Sequence, residues 1–518
     1  SDPYSNNLNT EVQSTLESIV GEAAFDGGHL FNREADNGNA GGIGTVCNDG
    51  IKGAAFSSAL VPEGDRYDLD YVSHELGHQF GANHTWSFQS EGTGVQAEPG
   101  SGTTIMGYAG ITGANDVESA GDDYYHHNSI DQITQYLATT SCGTTAALTN
   151  QPPTITPMPD FQIPVGTAFV LEGEATDPDG TSSLTYCWEQ IDNGVVTNGT
   201  FGPNNSQGAA FRSLRPVAEQ FRYFPRLSRI VSGDLTQTSP ATGSAWETVA
   251  NVARSYTFAL TVRDNDSEGG QVDAEQLSVE VLTEYTPFQV LSQADSPTYE
   301  GGSVQTVQWD TGGTEIGSIS AGTVDVYFST EGGLSFPILI AEGLVNDGEA
   351  QVQMPGNETT QGRIMIRPQN QIFLAVNSSD ITINGASAVL KAQELSYTVC
   401  QDDDLTIPLT YESFGGFSET MTLSATVPSG INANISPATV SANDTAINLD
   451  LTNLNAVAEG SYTITAEANG GGESFSLDIE LILVGGVPTA VGLNSPTAGA
   501  TEVSAGLGLN WATQVGVL

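Results

Sequence analysis

The segment His74-Glu75-Leu76-Gly77-His78-Gln79-Phe80-Gly81-Ala82-Asn83-His84 constrains this chain more than any other stretch. Residues four apart share one face of a helix, so His74 and His78 can offer two imidazoles to a single metal ion. Gly81 can adopt the positive φ that ends a helix and turns the chain sharply, bringing His84 round as a third ligand. Three protein ligands leave one coordination position open, which is the arrangement of a catalytic zinc site. Glu75 stands beside the pair, where a carboxylate can take a proton from the attacking water. Gly77, inside the helix, is an odd choice for stability alone, since glycine there costs about 1 kcal/mol against alanine. A structural zinc site would call for a fourth protein ligand, and no nearby cysteine supplies one.

All six histidines, His29, His74, His78, His84, His126 and His127, lie in the first 127 residues, so any imidazole chemistry is confined to the N-terminal part. The same part holds the long helices. Residues 11–24 place Val12, Leu16, Ile19, Val20 and Ala23 at helical spacing, and residues 68–80 do so with Leu69, Val72, Leu76 and Phe80. A third helix is expected to begin at Ser129, with its hydroxyl as cap, Gln132 reaching back, and Ile130, Ile133 and Leu137 as the apolar stripe. After Cys142 the texture changes: residues 144–153 form a polar, Pro-ended linker, followed by short runs of period-two alternation at 168–171, 184–188, 256–262 and 277–282. The expected organisation is multidomain: an α/β domain at 1–143, an immunoglobulin-like or cadherin-like β-sandwich at 154–284, and further sandwiches at 285–386 and 387–485. Residues 486–518 are too short to fold alone and look like the opening of a fibronectin type III-like domain.

Charge narrows the setting. Thirteen basic residues, with Lys52 and Lys391 the two lysines, face 62 acidic ones, a formal charge of −49 across 518 residues. That balance excludes a nucleic-acid partner, which needs a basic surface, and docking on anionic membranes. No apolar run approaches the ~18 residues of a membrane span, so membrane insertion is not expected. Four cysteines do not make a disulfide scaffold, although Cys47 and Cys142 could bridge within one domain. An acidic, lysine-poor, cysteine-poor chain suits a bacterial protein that is secreted or held at the cell surface. The start at Ser1, without methionine or signal peptide, points to a processed or partial chain.

The pattern of residues 74–84 resembles the metzincin zinc signature, HExxHxxGxxH. Thr104-Ile105-Met106-Gly107-Tyr108, downstream of His84, resembles the Met-turn that underlies the metal in that clan. The wording at 44–47, 64–80, 83–86, 98–110 and 125–133 resembles a bacterial, secreted reprolysin-like group, and 184–190 and 222–227 resemble the β modules that accompany such peptidases. The resemblance implies a zinc endopeptidase acting on protein or peptide substrates, with His74, His78 and His84 as ligands, Glu75 as general base and Met106 beneath the metal. It also implies a catalytic domain whose first strands lie upstream of Ser1. Tyr108 stands where some metzincins place a tyrosine that can touch zinc or the developing oxyanion; a buried structural tyrosine is the plainer alternative. Thr85 replaces the aspartate that usually follows the third histidine in animal reprolysins. Thr112 stands where the bacterial group suggests a cysteine, which leaves the pairing of Cys47 open.

Further expectations are less specific. The glycine-rich run 41–47 is a candidate edge strand for holding an extended substrate, or else an ordinary loop and strand. Asp177, Asp179, Asp264 and Asp266 offer hard oxygens as candidate calcium ligands, although acidic turns are common without metal. His126 and His127 could approach the cleft or pack elsewhere, and Arg212, Arg215, Arg222, Arg226 and Arg229 are expected to pair with surrounding acids. The rival reading is an adhesive or carbohydrate-binding protein with an incidental metal domain, whose β modules engage cell-surface or extracellular matrix material. An intact Glu75 argues against it, because a retired site has no need of a general base.

Overall fold

The computed structural model describes residues 4, 7–144, 146–180, 183–267 and 269–485, with the backbone of two short strands, Leu493–Ser495 and Asn510–Trp511. Apart from those two strands, the expected final module at 486–518 lies outside the described residues.

Helix α1 (Leu8–Ile19) starts where the Asn7 side chain accepts from the Thr10 N–H, and it turns Val12 and Gln13 inward. The expected continuation to Ala24 breaks at Gly21, whose φ of +92° is left-handed; residues Glu22–Ala24 form a separate short turn. Strands β1 (His29–Asn32), β2 (Asn37–Asn39) and β3 (Ala55–Ser58) form a small sheet in the order β1-β3-β2. β3 runs parallel to β1 and antiparallel to β2, and all four of its residues are buried. β2 is therefore an edge strand.

Helix α2 (residues 65–79) carries the histidine pair in its last segment, His74–Gln79. Just before it, Asp68–Ser73 forms a widened π-type turn, a feature common at functional sites. Gly77 has a packing reason that helix propensity hides: a Cβ there would run into Sδ of Met106 and lie 3.1 Å from Cε1 of Tyr125. Gly81, at φ +105°, turns the chain as the spacing suggested.

The glycine-rich run 41–47 does not form the expected edge strand. Gly41, Gly44 and Cys47 all have positive φ, which breaks an extended run. The N–H groups of Gly44, Thr45 and Val46 instead donate to the carbonyls of His78 and Gln79, capping the C-terminus of α2. Cys47 bridges Cys142 across 95 residues, tying this cap to the chain beyond the third helix. Closing a loop of that length is worth about 4–5 kcal/mol in the chain-entropy picture.

That third helix, α3 (His127–Leu137), starts before Ser129. Its cap is His126, whose ring accepts from the Asn128 N–H, while the His127 N–H donates to Glu189 of the first sandwich. With a tertiary acceptor supplied there, the helix begins two residues earlier; Ser129 is buried inside its first turn, and Gln132 accepts from the Asn83 N–H instead of capping.

Apart from one short helix, Leu227–Ser232, and a 3-10 turn at Leu454–Ala456, the regular elements of the rest of the described chain are β-strands in packed layers. Strands 161–164, 272–282, 254–263 and 185–190 make one four-stranded sheet. The facing strands Ala168–Glu172 and Phe221–Phe224 continue, through pairing of Phe169 with Phe373, into the sheet of the segment beyond 285. One apolar core accordingly runs through both, including Phe169, Phe258, Val307 and Phe328. Residues 388–484 close a separate sandwich of four- and five-stranded sheets around Leu409, Tyr411, Leu449 and Ile479. Four of the five arginines meet acids as expected: Arg212 reaches Glu118, Arg215 reaches Asp122 at 2.8 Å, and Arg222 and Arg226 share the fully buried Glu247 at 3.0 Å each, whereas Arg229 donates to the Thr236 carbonyl at 3.0 Å. Among the described residues no helix is long and apolar enough to cross a membrane.

The first sandwich is fastened to the N-terminal domain. Val196 accepts from the Gly100 N–H and donates to Ser87, both at 2.9 Å, and Gly194 donates to Gln96 at 3.1 Å. Val117 packs with Val196, Phe201 and Trp246 beneath these bonds. His127 continues the contact, with Nδ1 at 3.4 Å from the Thr261 hydroxyl and Nε2 at 3.2 Å from Gln276.

Candidate metal centre

α2 and the turn at Gly81 bring His74, His78 and His84 together, so that one ligand atom from each lies within 4.8 Å of the others. Each Nδ1 is already engaged: His74 with the Ile105 carbonyl at 2.7 Å, His78 with the Ala82 carbonyl at 2.8 Å, and His84 with the Glu91 carboxylate at 2.9 Å. Those acceptors place the proton on Nδ1 and leave Nε2 unprotonated, the state a metal ligand requires. In the metal-free protein, burial first and the neighbouring imidazoles second hold His74 down to about 3 and His84 down to about 2. Burial also lowers His78. Burial thus favours the neutral form of all three rings, the form that can donate to a metal. Nε2 of His78 and His84 are 3.0 Å apart, a contact between lone pairs that a cation would relieve. A three-nitrogen donor set of this kind fits zinc, and the described residues bring no fourth ligand to it.

Glu75 is buried beside the triad, and burial pushes its carboxyl up to about 8 in the metal-free protein, with an opposing hydrogen bond from the Ala40 backbone. The same side chain packs over β2: a Cβ at Gly38 would lie 2.9 Å from Cγ of Glu75, so a larger residue there would displace Glu75. Met106 is fully buried, clusters with Ala82 and Ile105, and packs against Gly77, between His74 and His78 on α2. Tyr108 lies with its ring centroid 4.6 Å from His84 and 5.5 Å from His74; burial, then Glu75 and Glu91, push its phenol up to about 12. It stays protonated and can donate.

Two site-supporting acids escaped the sequence reading. Glu91 orients His84. Glu98, 1% exposed, accepts from Thr85 Oγ1 and Thr104 Oγ1 at 2.5 Å each and from the N–H groups of Thr103 and Thr104 at 2.9 and 3.2 Å. It stitches the residue after the third ligand to the turn that carries Met106, so Thr85 works as a donor to Glu98. The only signal available was position, since both acids lie between His84 and Met106.

The four aspartates expected to hold calcium are not gathered into a site. Asp264 accepts from Asn150 at 2.6 Å, Gln271 N–H at 2.8 Å and Asp266 N–H at 3.1 Å. Asp177 accepts from the Asp179 N–H and Asp179 from the Gln151 N–H, both at 2.7 Å. Asp177 and Asp264 accept from N–H groups of their own turns, and Asp179 and Asp264 also hold the linker at Gln151 and Asn150. Among the described residues the histidine triad is the cluster whose geometry suits a metal.

A helix-borne histidine pair, a third histidine beyond a glycine turn and a methionine turn packed against that helix put the N-terminal region in the class of metallopeptidase-like domains. Residues 1–136 match the family model of the M12B reprolysin-like metallopeptidases, and this region is reprolysin-like. No curated protein matches the chain. Among solved structures the chain is similar to Sidekick-1 immunoglobulin domains 1–5, at 13% identity over 65% of this chain and 60% of that one, with a TM-score of 0.21. Drosophila N-cadherin EC1-4 gives 11% identity over 65% and 76% at a TM-score of 0.16. A Bacteroides ovatus glucan-utilisation protein, SGBP-B, solved with a mixed-linkage heptasaccharide, gives 15% over 66% and 73% at 0.14. The chain thus spans less than two thirds of the Sidekick-1 fragment.

Proposed function

We propose that residues 1–143 form a zinc endopeptidase that cleaves protein or peptide substrates. The observation that carries this reading is the convergence of three Nε2 atoms, each with its Nδ1 held by an acceptor, next to a buried Glu75. A zinc ion held by His74, His78 and His84 would supply Lewis acidity toward the scissile carbonyl and acidify water. Glu75 takes the proton of the attacking water and passes it to the leaving amine. The open edge of β2, which borders the same cavity as Glu75, aligns an extended substrate by main-chain hydrogen bonds. Tyr108 donates to the developing oxyanion.

The chain works outside the cell in this proposal, secreted from a bacterium or held on its surface, with the modules at 154–284, 285–386 and 387–485 contacting surface or matrix material. The adhesive alternative with an incidental metal domain is disfavoured by Glu75, which is intact and buried where a proton acceptor is needed. Elemental analysis should find about one zinc per chain, lost in His78→Ala, and a chelator should stop cleavage of a peptide library. Glu75→Gln should keep the zinc and lose hydrolysis. A fully metallated Glu75→Gln protein with near-normal turnover would overturn the reading.

A further inference from the structure

A cavity of about 540 Å3 opens beside His74 and Glu75, between α2, β2 and the segment after Met106. Its lining includes Asp36, Arg66, Asp70, Tyr71 and Ile111. The π-type turn of α2 precedes His74 directly, and Asp70 and Tyr71 within it face the same space as His74 and Glu75.

The charges in this lining do not cancel. Arg66 is its one cation and pairs with Asp36 at 3.4 Å. Asp70 forms no ion pair among the described residues; Oδ1 accepts a 3.3 Å hydrogen bond from the Gly121 N–H. Gly121 is part of the design, because a Cβ there would lie 2.6 Å from that oxygen and crowd it. The walls are different in character: Tyr71, Tyr108 and Ile111 offer apolar surface, Ile111 at the rim with 63% exposure. An apolar sleeve leading to a carboxylate that has no ion-pair partner, with Arg66 acting on it only at longer range, matches a side chain with an alkyl stem and a cationic head.

We propose that this cavity selects lysine or arginine at one fixed position next to the scissile bond, with Asp70 as the specificity-determining residue. The inference rests on the peptidase reading above. It makes the enzyme one that cuts beside basic residues, although its own surface is strongly acidic and lysine-poor. An enzyme with few basic residues of its own carries few such bonds to cut in a neighbouring copy.

The test pairs cleavage with binding. With the zinc-loaded full chain and a peptide library, Arg or Lys should exceed Leu and Glu about tenfold in kcat/KM at one position flanking the cut, the scale of one hydrogen-bonded charge contact. Asp70→Asn should bring the Arg-to-Leu ratio near one; a ratio taken within one variant is insensitive to general loss of activity. Ile111→Asp, a rim substitution, should raise that ratio. Separately, Nα-acetyl-argininamide should bind the metal-stripped chain in a titration and fail to bind the Asp70→Asn chain. Cleavage with apolar or no preference beside the cut overturns the specificity assignment and leaves the peptidase reading standing. Absence of all cleavage overturns the peptidase reading, and the titration then decides the cavity alone: no binding of the arginine amide, or equal binding by Asp70→Asn, overturns the assignment.

Discussion

Glu98→Ala is the substitution whose cost the structure allows to be worked out. The carboxylate holds four donors, and all of its partners are buried, with Thr85 and Thr103 fully enclosed. Truncation orphans the N–H groups of Thr103 and Thr104, which are fixed by the backbone; a buried donor without a partner costs about 1–3 kcal/mol. The two hydroxyls lose less, because Thr85 Oγ1 and Thr104 Oγ1 already stand 3.4 Å apart and can rotate toward one another. The sum is about 3–5 kcal/mol, similar to breaking a buried charge network. For a domain near 150 residues, with about 2–4 °C of melting shift per kcal/mol, that is a fall on the order of 10 °C. Glu98→Gln keeps an acceptor for both N–H groups and presents its NH2 to hydroxyls that can turn to accept, so its cost is about 1–2 kcal/mol. Calorimetry on metal-stripped protein reads the fold term, and repeating it with zinc reads the effect on the site. The order Ala worse than Gln worse than wild type is expected. A Glu98→Ala transition within about 2 °C of wild type, with zinc affinity unchanged, would refute the clamp.

Three further perturbations probe neighbouring links. Glu91→Ala should weaken zinc binding about tenfold by removing the acceptor that fixes the His84 tautomer, with little effect on melting; competition against a chromophoric chelator measures it, and unchanged affinity removes the role. Gly77→Ala should destabilise by about 1–3 kcal/mol despite alanine's better helix propensity, because its Cβ enters the space of Met106 and Tyr125; a rise in the urea midpoint would contradict this. Tyr108→Phe should lower kcat at least tenfold with KM nearly constant if the phenol meets the oxyanion; unchanged turnover on several peptides leaves Tyr108 a packing residue.

What could be read from sequence was local. The helix bearing His74 and His78 and the turn at Gly81 follow from spacing over a few residues, as did the alternation of the β modules; Met106 was singled out only by the resemblance to the Met-turn. Long-range partners were invisible. Asn37-Gly38-Asn39 carries no strand propensity, and it is an edge strand because β3 pairs with it and Glu75 packs on Gly38. The more strand-like run at 41–47 was bent by three positive-φ residues and given to capping α2. Helix α3 began early because Glu189, far along the chain, accepts the His127 N–H. The calcium expectation finds no support for a related reason: sequence displays acidic residues, and the loop backbone decides whether three or more of them gather, which among the described residues these aspartates do not.

If the proposed peptidase reading holds, the docking of the first sandwich changes what counts as the catalytic unit. His84, the third histidine of the candidate metal centre, leads directly into residues 85–102, a stretch without regular helix that contains both Glu91 and Glu98. A loop of that length has many conformations, and ordering it costs about 1–2 kcal/mol of backbone entropy per residue. Within the peptidase region it is held at Thr85 and at Glu98, near its two ends. Its middle is held from within by the Gln96 side chain on the Trp86 carbonyl and by Asn128 on the Val95 carbonyl; the sandwich adds Val196 on Ser87 and Gly100 and Gly194 on Gln96, and Gln96 in turn accepts from the Glu91 N–H at 2.8 Å. The orientation of His84 thus passes through Glu91 and Gln96 to a segment of the sandwich. Glu189 at the start of α3 adds a buried polar contact to the same junction, and Trp246 packs with Val117 in its apolar part. The sandwich acts on the metal centre as a brace for its least regular ligand.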